Sequence, residues 1–585
     1  MRGPRPPRPT RISLTTALLL VTLVWLLVPS WAAAADRVVV RGPVPVSGPT
    51  PFPGGCPPDS PPAGSENAAW EPSLVVDPHD PDRLAAAWSQ DGGLSALGGV
   101  SSDGGHSWRT VLIPGVSHCT GGPTGGVVNP WLAYGPGGTL YLATLGADLT
   151  SGFPITNPQT RVSVNRSTDL GASWKSPSIV QPEDGGYYDK PSVTADPRSP
   201  GVLYSVYALR TGPTGARGVT LFSKSTDGGT IWSPPQTIYD PGPAPPQWPH
   251  GNLITVLHDG TLLNTFVDTN ISPYAGNDAL VQPDTELAVR STDGGRTWSP
   301  PITIAGLSGR LPADGSSEAQ RIDAIPIPTV TLDSAGTVYA AWAENPSQTT
   351  GAIKLARSTD GGRSWSRPTA AAAYGGQAFL PALATETGTL GLVWYDTRHD
   401  NPSESQLTTD VWFAQSHDHG RSWNEIHLAG PFATLSSPDF FGVARTIGTY
   451  VSLASTPTGF DTLFTQAKPA SQRGATSIYF SSIQLRHPTP ATTSPSKHRC
   501  TSRRIFTVHV KPRYRTRVLS VTILIAGHPI AHLRRGKLSQ RINLTGRPAG
   551  RITLQLVMHL RNGKTATDTR HYRLCGPGRR RAQRP

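Results

Sequence analysis

Seven stretches of the chain repeat one pattern of apolar and polar positions: a short alternating run rich in β-branched residues, a Gly, Pro or Asp turn, and a second run ending in aromatics. PSLVVDPHDPDRLAAAW, PWLAYGPGGTLYLAT, KPSVTADPRSPGVLYSVY, GNLITVLHDGTLLNTFVD, PTVTLDSAGTVYAAWAE and PALATETGTLGLVWYD are the first six, and YVSLASTPTGFDTLFTQA, beginning at Tyr450, is the seventh. Alternation with period two puts one face of each run inward, so every copy is predicted to be a β-hairpin. After each of the first six comes a third run, such as TELAVR or IKLAR, then an octet, then a fourth run such as PITIAG. The octets are SSDGGHSW, STDLGASW, STDGGTIW, STDGGRTW, STDGGRSW and SHDHGRSW.

The octet aspartates, Asp103, Asp169, Asp227, Asp293, Asp360 and Asp418, recur every 58 to 67 residues. Four antiparallel strands returning at that period are the signature of a β-propeller blade. Seven blades are counted. The last has three runs, ending in TSIYFSSIQL, and the run DRVVVRG at 36–42 is expected to supply its fourth strand and close the ring. A six-bladed ring with an extra hairpin is the alternative. Within such a blade the octet is a turn: Ser and Asp oxygens accept backbone N–H bonds, Gly permits φ > 0, and Trp fills space between sheets. The six aspartates are therefore expected to be structural.

S-x-D-x-G-x-x-W resembles the Asp-box, or BNR repeat, of the sialidase-like propellers. The resemblance implies a propeller and leaves the activity open, because Asp-boxes also occur in endoglucanase-type glycosidases, photosystem assembly factors and sorting receptors.

Charge divides the chain. Residues 36–486 hold 26 basic and 38 acidic side chains, whereas 487–585 hold 22 basic residues against Asp568 alone. The body is thus acidic and the C-terminal part strongly basic. The first residues carry Arg2, Arg5, Arg8 and Arg11, followed by an apolar run of about fifteen residues, shorter than the roughly twenty of a spanning helix, and a small-residue stretch. This is the composition of a signal peptide, expected at 1–35, with a propeller at 36–486 and a secreted or envelope-associated location. A Pro/Thr/Ser linker is expected at 487–498 and a disordered basic tail at 577–585. Six strand-like runs between them, at 499–576, predict a small Ig-like β-sandwich.

Export permits disulfides. Four cysteines allow three connectivities; pairing within each region, Cys56 with Cys119 and Cys500 with Cys575, keeps each bridge inside one folding unit.

In a propeller the loop entering strand one and the loop leaving strand two open on the same face, opposite the octets. The entries offer Glu71, Asn129, Asp189, Lys190, His250, Arg321, Asp323 and Arg445; the exits offer Asp148, Arg210, Asp268, Glu344, Asp396 and Arg398. Arg forks bind carboxylates with two parallel hydrogen bonds, and glycosidases need an acid paired with a base or nucleophile. The sialidase resemblance asks for converging Arg, a Tyr nucleophile and an Asp acid. Candidates are Arg210, Arg321, Arg398 and Arg445 for a carboxylate, with Asp396 and His250 beside them, Tyr188 or Tyr450 as nucleophile, and Asp189, Asp323 or Glu344 for acid or base. The family's F/Y-R-I-P motif is absent; the nearest string, QRIDAIP, lies in the fifth blade. Plainer readings stand beside these: Asp396 and Arg398 pair across a loop, Tyr187 and Tyr188 pack in a loop, and Trp88, Trp342 and Trp394 are inter-blade core.

No GxSxG, P-loop, HExxH or dinucleotide fingerprint stands in a credible context, and no His or Cys has a partner at ligand spacing, so no cofactor or metal is expected. The expected partner is an extracellular glycan, met either by an exo-glycosidase or by a non-catalytic binder. The basic domain is expected to meet anionic envelope polymer, acidic glycan, a membrane surface or the chain's own acidic body. Export and the lack of any reading motif argue against nucleic acid. A monomer is expected.

Overall fold

The computed structural model describes residues 37–486 and 505–574, except 63, 148–159, 183, 185, 212–216, 243–246, 271–283, 308–310, 315–316, 326, 348, 402, 441–443, 470–474, 511–517, 526–527, 535–538, 546–549 and 562–564. The expected signal peptide, linker and tail, Asp148, and the Cys500–Cys575 pair lie outside the described residues. The chain divides into two compact units, Met1–Pro488 and Thr489–Pro585. No helix among the described residues is long and apolar enough to cross a membrane.

Among its described residues the first unit holds seven four-stranded antiparallel sheets. Their first strands are Ala69–Asp77, Gly126–Gly135, Tyr187–Ala195, Gln247–Val256, Thr329–Leu332, Ala378–Glu386 and Ser452–Thr456. Six sheets run through their strands in chain order. In the seventh, Arg37–Pro45 pairs antiparallel with Thr476–Arg486, Val39 opposite Gln484, so the N-terminal strand forms the outer edge of the last sheet. Each first strand packs on the first strand of the next sheet, and that of the seventh packs on that of the first. This is the radial arrangement of a β-propeller. Because each sheet has a neighbour on both faces, both faces are apolar: Phe222 and Phe266 fill the gap between the third and fourth sheets, Val267 and Trp342 that between the fourth and fifth. Cys56 and Cys119 form a disulfide.

Each octet joins the third strand of its sheet to the fourth and closes on itself. In the fourth sheet Ser291 Oγ donates to Asp293 Oδ1 at 2.8 Å, Gly295 N donates to Ser291 Oγ at 2.8 Å, and Thr297 Oγ1 donates to Asp293 Oδ2 at 2.6 Å. The Ser-to-Asp bond recurs at 2.7 to 2.8 Å in all six octets. These bonds favour the ionised carboxylate, with the Ser107 hydroxyl foremost at Asp103, whose pKa falls to about 2. The octet also ties its sheet to the preceding one. Gly295 has φ +93, and a Cβ there would sit 2.4 Å from Phe222 Cζ of the third sheet; Trp298 meets Phe222 edge-on at 5.3 Å.

Two small insertions break the repeat. Ala313–Asp314 pairs with Ser317–Arg321 before the fifth sheet, and Asp439–Phe440 pairs with Ala444–Arg445 before the seventh. Ile322 then bridges to Arg445, and Asp323 N donates to Arg445 O at 2.8 Å, which brings Arg321, Asp323 and Arg445 side by side.

In the second unit a four-stranded sheet, ordered His528–Arg534, Val518–Ile525, Gly550–Leu560 and Thr565–Leu574, accompanies the pair Ile505–His509 with Ser539–Asn543. Their apolar faces meet: Val508, Ile542 and Leu544 pack with Val521, Ile523, Leu554 and Met558.

Candidate functional site

The site is built on a recurring irregularity. The first strands of the first, second, third and sixth sheets carry a β-bulge that holds Glu71, Asn129, Lys190 and Leu380 at φ between +47 and +56, each followed by a proline. A non-glycine residue in this region is uncommon and costs of order 1–3 kcal/mol, so packing must enforce it. Three of these bulges converge. Glu71 Oε1 accepts from Lys190 Nζ at 3.1 Å, Asn129 Nδ2 at 2.8 Å and Thr449 Oγ1 at 2.8 Å, and Oε2 accepts from Asn129 N at 2.8 Å. Three sheets and the loop entering the seventh are joined at one carboxylate. Burial alone would raise the Glu71 pKa, but Lys190 and the hydrogen bonds outweigh it and hold Glu71 below the usual range. Burial likewise opposes charge on Lys190, and Glu71, Asp189 and Asp323 together raise its pKa. Next to this layer lies a small, largely apolar cavity of about 30 Å³, whose walls include Trp131, Pro191, Leu253, Ile327 and Tyr450.

Beside the same layer, on the third-sheet face that looks toward the fourth sheet, Tyr187, Asp189 and Arg210 gather around Trp248 and His250. Tyr187 and Arg210 are cross-strand partners. The Arg210 guanidinium lies 5.0 Å from the Tyr187 ring and 4.0 Å from the Trp248 ring, and the Trp248 and His250 rings are 4.6 Å apart. His250 Nε2 is 3.9 Å from Asp189 Oδ2. Burial pushes the Asp189 carboxyl up, against the pull of Lys190 and Arg210, and its pKa ends above the ordinary value. Burial, with Lys190 and Arg210 nearby, keeps His250 neutral well below its usual pKa. Burial also raises the Tyr187 phenol, with Asp189 and Asp323 adding to the rise and Arg210 opposing it. Asp323 thus reaches the cluster from the insertion before the fifth sheet, and Arg321 and Arg445 flank it. Arg210 Nε, Trp248 Nε1 and His250 Nδ1 are buried without a hydrogen-bond partner among the described residues.

The other predicted residues sit elsewhere. Tyr188 faces the second sheet, where its OH donates to Asp184 at 2.8 Å and its ring meets Tyr207 edge-on; the phenol beside the cluster is Tyr187. Arg398 turns toward the outer strands of its own sheet: it grips Asp396 through Nε at 2.9 Å, reaches Glu425 Oε2 at 3.1 Å, and lies 3.7 Å over the Trp412 ring. Asp396 also accepts from Trp394 Nε1 at 3.1 Å. Glu344 accepts from Trp342 Nε1 at 3.0 Å and stands 3.8 Å from Lys354 Nζ. The Tyr450 hydroxyl donates to Pro130 O at 2.9 Å, beside the Lys190 layer. Trp248 was not among the sequence candidates; its signal is the aromatic two positions before His250 on one strand face. Among the described residues no group of three or more His, Cys, Asp and Glu is arranged to hold a metal ion.

Residues 156–429 match the family model described as BNR repeat-like domain. The match spans five of the six self-closing octets, so over that stretch the first unit is similar to BNR-repeat domains. No curated protein matches the sequence. Similar solved structures include a protein of unknown function from Dyadobacter fermentans, at TM-score 0.41 and 16% identity over 72% of this chain and 95% of that one. A Hadza microbial sialidase follows at TM-score 0.41 and 15% identity, covering 68% and 73% of the two chains. An α-L-arabinanase of Penicillium chrysogenum complexed with arabinobiose gives TM-score 0.39 and 15% identity, covering 75% and 98%.

Proposed function

We propose that the first unit is a secreted, closed seven-bladed propeller whose mouth binds the terminal acidic sugar of an extracellular glycan, and that the second unit is an Ig-like β-sandwich. The observation that carries the binding reading is the set of unpartnered buried polar atoms around one spot: Arg210 Nε, Trp248 Nε1 and His250 Nδ1. Each such group costs about 1–3 kcal/mol when left unpaired, and a ligand rich in acceptor oxygens recovers that cost. A carboxylate suits the guanidinium fork of Arg210 in particular, with Arg321 and Arg445 on the same side of the ring.

Hydrolysis is the second reading, favoured by Asp189, whose burial raises its pKa, and by Tyr187 on the same strand face. In that reaction Asp189 protonates the leaving glycosidic oxygen while Tyr187 Oη attacks the anomeric carbon. The phenolic proton passes to Asp323; water then attacks the anomeric carbon and gives its proton to Asp189, while Tyr187 leaves and takes its proton back from Asp323.

Titration calorimetry with sialyllactose, a glucuronic-acid-terminated disaccharide and neutral lactose tests the first reading, and chromatography of released sugar tests the second. Acidic glycans are expected to bind, and Arg210→Ala to weaken them at least about tenfold, the loss of a charge-assisted contact. Equal affinity for acidic and neutral glycans would sink the binding reading. Free sugar released by the wild type and not by Asp189→Asn, with binding retained, establishes hydrolysis; no release from any glycan excludes it.

A further inference from the structure

We propose that the second unit is a docking surface for a carboxylated polysaccharide, independent of what the mouth binds. Its stretch of sequence holds 22 basic residues, 18 Arg and 4 Lys, and one acid, Asp568. That acid does not face outward. Asp568 is 7% exposed and is held by Arg570, whose Nε and Nη2 donate to Oδ2 at 3.0 and 2.7 Å. Nothing negative among the described residues of the unit therefore offsets its positive field.

Among the described residues, Arg534 is exposed on the four-stranded sheet and Arg541 on the two-stranded one. Alternate residues of the last strand, Thr565, Thr567 and Thr569, add a row of exposed hydroxyls at a spacing of about 7 Å. Guanidinium forks pair with carboxylates and a hydroxyl row pairs with sugar hydroxyls, so a uronate-type polymer meets both. Base-stacking platforms for nucleic acid need exposed aromatics, and the whole of 487–585 holds no Trp and only Phe506, Tyr514 and Tyr572. A neutral polysaccharide would leave the field unused.

The full-length chain is titrated against polygalacturonate, neutral dextran and double-stranded DNA from about 50 to about 500 mM salt. Polygalacturonate is expected to bind, to lose at least tenfold in affinity across that range, and to outcompete DNA; dextran is expected not to bind. The triple variant Arg534→Ser, Arg541→Ser, Arg561→Ser, all exposed positions, is expected to bind polygalacturonate at least tenfold more weakly while its Tm stays at the wild-type value. The proposal is overturned if polygalacturonate fails to bind at low salt, if DNA competes equally well, or if a folded triple variant binds as tightly as the wild type.

Discussion

Lys190→Met probes the layer on which the site rests. Glu71 and Lys190 have side chains only 5% and 11% exposed, so the substitution leaves a buried carboxylate without its counter-charge. Removing one partner of such a pair costs about 3–5 kcal/mol. The lower end applies, because Glu71 keeps three neutral donors from Asn129 and Thr449. For a unit of this size that corresponds to a fall in Tm of several degrees. The pH dependence fixes the cause. In the wild type the depressed Glu71 pKa gives a contribution that is complete above the unfolded carboxylate pKa and is lost as pH falls through the folded value. In Lys190→Met the same carboxyl is left to burial and moves up. The deficit is then greatest at pH 8 and shrinks toward the usual carboxylate range, where Glu71 takes a proton. The double variant Glu71→Gln, Lys190→Met should recover at least half of the loss. Scanning calorimetry at pH 5 and pH 8 reads all of this; equal deficits at both, or a loss under about 1 kcal/mol, would refute the reasoning.

Glu286 is fully buried, both its oxygens lack partners, and burial with Asp284 and Glu344 nearby raises its pKa well above the ordinary value. A raised carboxyl carries no cost while protonated in both states and a growing cost as pH rises toward its folded pKa, about 1.4 kcal/mol per pH unit in that window. Glu286→Gln should therefore stabilise the protein at pH 7, and denaturant midpoints should show the gain vanishing near pH 4.5. Gly295→Ala should cost about 1–3 kcal/mol in the same assay, through its left-handed φ and the Phe222 ring. Gly306→Ala, with nothing within 4 Å of the added Cβ, should cost much less.

How much of this was legible beforehand differs by scale. The octets announce themselves because their demands are local: a Ser and an Asp to accept nearby N–H groups, a glycine at positive φ, a Trp at the gap between sheets. Alternating runs likewise mark strands with an apolar neighbour on each face. The site depends on register and on long-range contacts, which local pattern does not carry. Tyr187 and Tyr188 are adjacent on one strand, so a single step of register decides which faces Arg210 and which faces Tyr207. Arg398 looked equivalent to Arg210, both at the exit of a second strand, until Asp396, Glu425 and Trp412 drew it outward. The adjacency of Asp323 and Arg445 arises from a bridge across more than a hundred residues of chain. One signal was present and unused: the steps Glu71-Pro72, Asn129-Pro130 and Lys190-Pro191 open three of the predicted strands, and each marks a bulge whose first residue turns to the shared network.

The central claim is that the polar atoms around Arg210, Trp248 and His250 await an acidic sugar. Titration calorimetry of the wild type and Arg210→Ala with N-acetylneuraminic acid and with its methyl ester tests it most directly, since the two ligands differ only in the carboxylate. The acid should bind the wild type at least about tenfold more tightly than the ester, and Arg210→Ala should erase that difference. Equal affinity for acid and ester in the wild type, or a preference for the acid that survives Arg210→Ala, would contradict it.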